Sequence, residues 1–194
     1  MRSRPLVTAA AIAALLAVPA LAQESNDPGI EGVEIYEDLS YDHVSGPIDY
    51  DLLPPAGGPH SPMWQNCGVY DEPVITEQAV HSLEHGAVWI TYRPGLPAAA
   101  LDRLEKFAER EDYLLVSPWP GQDEPIVASA WGAQLRLDDV NDPRLRQFIR
   151  AYARNGPERG APCTGASDET LPMPAATPLA GTPVAATPAA TPAP

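Results

Sequence analysis

Four histidines, His43, His60, His81 and His85, are the residues of this chain best suited to chemistry, and three of them fall within 26 residues. The segment His81-Ser82-Leu83-Glu84-His85 spaces two imidazoles at i and i+4. On a helical turn that spacing sets both rings on one face, with Glu84 close by. Two neutral imidazoles so placed suit zinc or copper. His60 follows Gly57-Gly58-Pro59, a turn that can carry its ring to the same place. Met63 lies three residues further on. The expected metal set is therefore His60, His81 and His85, with Met63 as a weak fourth ligand and Glu84 either a ligand itself or orienting one from behind. Nitrogen and thioether donors favour copper, then zinc, over magnesium or calcium, which prefer oxygen.

Two other readings compete. H-x-x-E-H also marks inverted zinc peptidases, in which the glutamate is general base for a zinc-bound water. A metal-dependent hydrolase would use Glu84 in that role, and Glu158 is the candidate for a distant third ligand. Gly86 and the strand-like run that follows argue against the long helix such enzymes need. In the third reading the chain is a non-catalytic structural or interaction domain, and the histidines staple a loop onto a sheet. Catalysis is thus unassigned, with the balance against an enzyme. Ser82 beside His81 and Glu84 does not make a triad, because sequence neighbours seldom form one. Trp64, Trp89, Trp119 and Trp131 read as core and sheet residues more than as a ligand groove. No Gly-rich phosphate loop, G-x-S-x-G elbow or C-x-x-C motif is present.

The elements that must position these residues are legible in outline. Residues 45–73 carry turn formers throughout, including Pro54-Pro55 and Gly57-Gly58-Pro59, and read as a long structured loop. Ala87 to Tyr92 is β-branched and aromatic, a strand. Pro97 to Glu111 has Leu101, Leu104, Phe107 and Ala108 at helical spacing. Tyr113 to Val116 is a short buried strand, and Pro125 to Leu137 alternates as another. Asp142 can cap a helix with Pro143 at its first position, and Leu145, Phe148, Ile149 and Tyr152 mark its apolar face. The expected fold is α+β or small α/β: a mixed sheet of three to five strands with two packed helices and the Pro/Gly-rich loop.

Charge and targeting set the surroundings. The net charge is −14. Between Arg4 and Arg93 there is no lysine or arginine, while 13 acidic residues lie from Glu24 to Glu84. Nucleic acid and anionic membranes need clustered cations and are poor partners; a metal cation is the partner this half would attract, and no protein partner is indicated. Arg2 and Arg4, the apolar run Pro5–Leu21 and the small-x-small Ala20-Leu21-Ala22 read as a secretory signal over residues 1–22, with an uncleaved N-terminal anchor as the alternative. No later segment is long and apolar enough to span a membrane. Residues 23–44 read as an acidic extended arm, 45–165 as the globular domain, and 166–194 as a disordered Pro/Thr/Ala-rich tail. The protein is expected to be secreted, periplasmic or cell-surface. Cys67 and Cys163 would pair in that compartment, or Cys67 would be a free thiolate ligand.

Several separate motifs agree in order with one family. Residues 54–60 (Pro-Pro-Ala-Gly-Gly-Pro-His), 64–70 (Trp-Gln-Asn-Cys-Gly-Val-Tyr), 80–86 (Val-His-Ser-Leu-Glu-His-Gly) and 130–132 (Ala-Trp-Gly) resemble the bacterial family called domain of unknown function 3105. The resemblance runs from about Gly46 to Gly165. It implies export or membrane anchoring, and it favours the disulfide through a Cys-Thr-Gly segment like 163–165. It implies no activity.

Overall fold

The structure, a computed structural model, describes residues 28–174. The expected signal segment 1–22 and the stretch beyond residue 174 lie outside the described residues. In chain order the elements are β1 (Val33–Ile35), β2 (Gly68–Val69), α1 (Thr76–Glu84), β3 (Val88–Tyr92), α2 (Ala98–Ala108), β4 (Leu114–Pro118), β5 (Ile126–Ala130), β6 (Ala133–Leu137) and α3 (Pro143–Tyr152). The strands form one mixed sheet in the order β1-β6-β5-β3-β4-β2. β4 runs parallel to both β3 and β2, whereas β5 is antiparallel to β3 and β6.

The sheet is the middle of three layers. Successive strand residues point to opposite faces. Val88, Ile90 and Tyr92 of β3 join Leu114 and Val116 of β4 in a core closed by Leu104 of α2 and Leu145 and Phe148 of α3. Trp89 and Leu115 face the other way and pack with Ala79, Val80 and Leu83 of α1. All five residues of β3 are buried, as a strand covered on both faces requires.

The class is α+β as expected, but six strands and three helices replace the expected three to five strands and two helices. The additions have physical causes. β1 falls in the stretch read as an arm and forms the sheet edge, held by its register on β6, Val33 opposite Leu135; three residues carry no periodicity of their own. Pro125–Leu137 is a hairpin of two strands, because alternation continues through the turn at Trp131-Gly132 and only the positive φ of Gly132, 73°, marks the reversal. α1 begins five residues before the His81 motif, so the motif closes a helix of nine residues rather than standing on a single turn. Asp142 caps α3 as anticipated, accepting from the Arg144 N–H at 2.9 Å. The folded body also runs beyond the 45–165 limits. Ser167 O accepts from Asn66 N at 2.7 Å and Pro73 O from Leu171 N at 2.7 Å, backbone pairings to which side-chain patterning is blind.

Two constraints hold the C-terminal segment against α1. Cys67 and Cys163 are bridged across a separation of 96 residues, and no cysteine is free. This removes Cys67 as a thiolate ligand and, in the chain-entropy model, stabilises the fold by roughly 4–5 kcal/mol. The second constraint is a backbone crossing. Gly86, at φ 96°, ends α1 against the chain leaving α3, where Arg154 N donates to Gly86 O at 2.8 Å and Glu158 N to Glu84 O at 3.0 Å. A Cβ on Gly86 would stand 2.8 Å from Gly156 N, and a Cβ on Gly156 would press into Glu84 O and Gly86 N. Both clashes are with backbone, which has little room to yield. Gly156→Ala is expected to destabilise by about 2–3 kcal/mol, the upper part of the overpacking range, lowering the Tm by roughly 5–10 °C. Calorimetric melting checks this; an unchanged Tm contradicts a tight crossing.

Candidate metal centre

The C-terminal half of α1 is buried on every side: His81, Ser82, Leu83 and Glu84 all lie inside, and His85 follows as the cap. The Pro/Gly-rich loop covers this half and is strapped to it. Ser61 N donates to Glu77 O at 3.1 Å and Gln65 N to Gln78 O at 3.1 Å. Ser82 Oγ donates to Gln65 O at 2.6 Å, so this serine is a loop anchor and not a nucleophile. The turn before His60 is built on Gly57 and Gly58, at φ 131° and 112°, conformations that favour glycine. His60 then pairs with a preceding segment: His60 N donates to Asp42 O at 3.0 Å and Val44 N to His60 O at 2.7 Å. That bridge brings His43 beside His60.

Three imidazoles are anchored alike. His60 Nδ1 meets Gly58 O at 2.8 Å, His81 Nδ1 meets Ser61 O at 2.7 Å, and His85 Nδ1 meets Pro162 O at 2.7 Å. A carbonyl only accepts, so each Nδ1 carries a proton and each Nε2 is left facing the cluster. This is the orientation that metal-ligating histidines adopt. His60 Nε2 lies 3.0 Å from Glu84 Oε2, and His43 Nε2 lies 3.8 Å from the same oxygen. Ligand atoms of His43, His60, His81 and Glu84 all fall within 4.8 Å of one another, as do those of His81, His85 and Glu158. Donors sharing one ion at bond lengths near 2.0–2.1 Å stand roughly 3–4 Å apart, so modest contraction completes either set.

The electrostatics favour a cation. His60 is fully buried and Glu84 is 3% exposed. The ion-pairing partners of Glu84 are imidazoles, not lysine or arginine. His60 Nε2 and Glu84 Oε2 at 3.0 Å require a proton or a metal cation between them. The carbonyl end of α1 adds the negative end of its dipole. Burial pushes the His81 imidazole down from its ordinary 6.5 to about 4, opposed by the Ser61 carbonyl and reinforced by the neighbouring His85, His60 and His43 rings. His81 is therefore a neutral donor at neutral pH. Aromatic walls surround the rings: Trp64 lies 4.9 Å from His85 and Trp131 5.6 Å from His60, centroid to centroid.

The structure brings His60, His81 and His85 together, but in two overlapping groups joined at His81. Glu84 is a candidate ligand in its own right, since its oxygen belongs to the first group. Met63 sits on the covering loop and is 48% exposed. His43 joins the site without having stood out in the sequence. The signal was there in its being one of only four histidines in the chain; what hid it was its position in an aperiodic acidic stretch. Trp64 and Trp131 wall the histidines, in addition to the packing role read for them.

The sequence model of a family described as "Protein of unknown function (DUF3105)" matches residues 43–165. The chain belongs to this family. No curated protein and no solved structure matches it. All the candidate ligands, from His43 to Glu158, lie within the part of the chain that makes it a DUF3105 member.

The shift at His81 has a consequence for the metal-free protein. Between about pH 6.5 and 4 the unfolded chain binds a proton at His81 that the folded chain refuses, so stability is complete above 6.5 and falls as the pH drops through that window. Urea denaturation in the presence of a chelator is expected to show this loss, and His81→Gln is expected to flatten it. Identical pH dependence in the two proteins contradicts a buried, neutral His81.

Proposed function

We propose that this DUF3105 protein is an extracytoplasmic metal-binding protein that holds one transition-metal ion through His43, His60, His81 and Glu84. The observation that carries the reading is the opposition of His60 Nε2 and Glu84 Oε2 at 3.0 Å inside a buried cluster, with the ring's other nitrogen committed to Gly58 O. A proton could bridge that pair alone. It would not account for two further imidazoles, His43 and His81, converging on the same point. A loop staple needs one histidine–carboxylate pair; this site has four imidazoles and two carboxylates. Three nitrogens and one oxygen form a borderline donor set without thiolate, which suits zinc and Cu(II). The disulfide and the signal-like segment 1–22 support an oxidising, extracytoplasmic setting. Among the described residues, no helix is long and apolar enough to cross a membrane.

The hydrolase reading keeps one supporting observation, the two-histidine, one-glutamate group of His81, His85 and Glu158. Against it, the Glu84 side chain is only 4% exposed and already engaged by His60, which leaves it badly placed to deprotonate a water on an incoming substrate.

His43 provides the discriminating test, because its side chain is 42% exposed and its removal should spare the fold. Calorimetric titration of metal-free protein with zinc and Cu(II) is expected to give a Kd below about 1 μM. His43→Ala should weaken it roughly 10–100-fold with the Tm of the metal-free protein unchanged. Wild-type binding no tighter than about 10 μM, or a His43→Ala variant that binds as wild type does, overturns the reading.

A further inference from the structure

We propose that His81, His85 and Glu158 form a second cation position adjoining the first, and that the bound ion loads and leaves through it. This deepens the metal-binding reading and rests on it. The second position repeats the construction of the first. His85 Nδ1 is spent on Pro162 O at 2.7 Å, and its Nε2 faces Glu158 Oε2 at 3.3 Å, as His60 Nε2 faces Glu84. Neither partner is incidental. Pro162 is tied down by the disulfide at Cys163, and the Glu158 backbone is pinned to Glu84 O beside the Gly86–Gly156 crossing.

His81 joins the two positions. Its ring centroid lies 4.9 Å from that of His60 and 4.5 Å from that of His85. With Nδ1 held by Ser61 O, it has one nitrogen to give. It can complete one ligand set at a time, so one ion occupies the two positions alternately and passes between them by exchange at His81.

Direction comes from exposure. The Glu158 side chain is 49% exposed, while those of Glu84 and His85 are 4% exposed. A solvated carboxylate backed by two imidazoles can capture a hydrated cation and replace its waters stepwise. The opposite, His43 end is flanked by exposed apolar side chains, Tyr41 and Val44. The exposed member of the first group is an imidazole, His43, whose neighbouring carboxylate Asp42 accepts from Ser40 Oγ, whereas the exposed member of the second is the carboxylate Glu158 itself.

The test is kinetic. Full-length metal-free protein is loaded with zinc, and both uptake and release to a chelating dye are followed by stopped flow for wild type, Glu158→Gln, His85→Asn and His43→Ala. Glu158→Gln and His85→Asn are expected to slow uptake and release together by roughly tenfold or more, leaving the Kd within about threefold of wild type. His43→Ala is expected to speed release and weaken the Kd. If Glu158→Gln exchanges zinc at the wild-type rate, the second position is not on the path, although the first site stands. If its Kd weakens in step with faster release, Glu158 is an ordinary ligand and the proposal fails. If wild type takes up no zinc, the metal-binding reading fails and the inference falls with it.

Discussion

A backbone carbonyl holding an imidazole by its Nδ1 proton is a small interaction, worth about 1 kcal/mol net. Made three times, at Gly58, Ser61 and Pro162, it sets the orientation of three rings. Each bond commits Nδ1 as a donor and turns Nε2 towards the cluster that holds Glu84 and Glu158. The carbonyls come from places far apart in the chain: the Gly-Gly turn, the loop over α1, and the segment clamped by the disulfide. The loop straps, the Ser82 anchor, the Gly86–Gly156 crossing and the Cys67–Cys163 bridge are all needed to keep those three carbonyls in register with one helix end.

The same view explains why so many polar groups are tolerated beneath the sheet. The face of β3 and β4 towards α2 and α3 is an ordinary apolar core. The α1 face carries buried histidines and a buried glutamate, groups that are costly to desolvate unless they are paired. Such an arrangement is a poor design for stability alone. It is a reasonable one for a site whose free energy is completed by a bound cation, since metal binding to the folded state adds directly to its stability.

What was legible in the sequence follows from how far each signal reaches. Helical spacing announced α2 and α3, and the cap at Asp142 announced where α3 begins. The i, i+4 pair and the Gly-Gly turn announced that His81, His85 and His60 could meet. β1, β2 and the pairing of residues 166–171 depend on backbone partners distant in sequence, and a two- or three-residue strand has no pattern to read. His43 was hidden for the same reason: a single parallel bridge to His60 brings it in. Sequence spacing alone places Glu84 beside the imidazoles and does not distinguish a carboxylate behind a ligand from one next to it.

The central claim is that imidazole nitrogens and a carboxylate oxygen, not sulfur, surround one ion between α1 and the loop. X-ray absorption at the zinc edge of the loaded protein tests it most directly. The account predicts a nitrogen/oxygen shell of four at about 2.0–2.1 Å with the outer-shell scattering of three imidazoles. A sulfur shell near 2.3 Å, or scattering from fewer than two imidazoles, would contradict it.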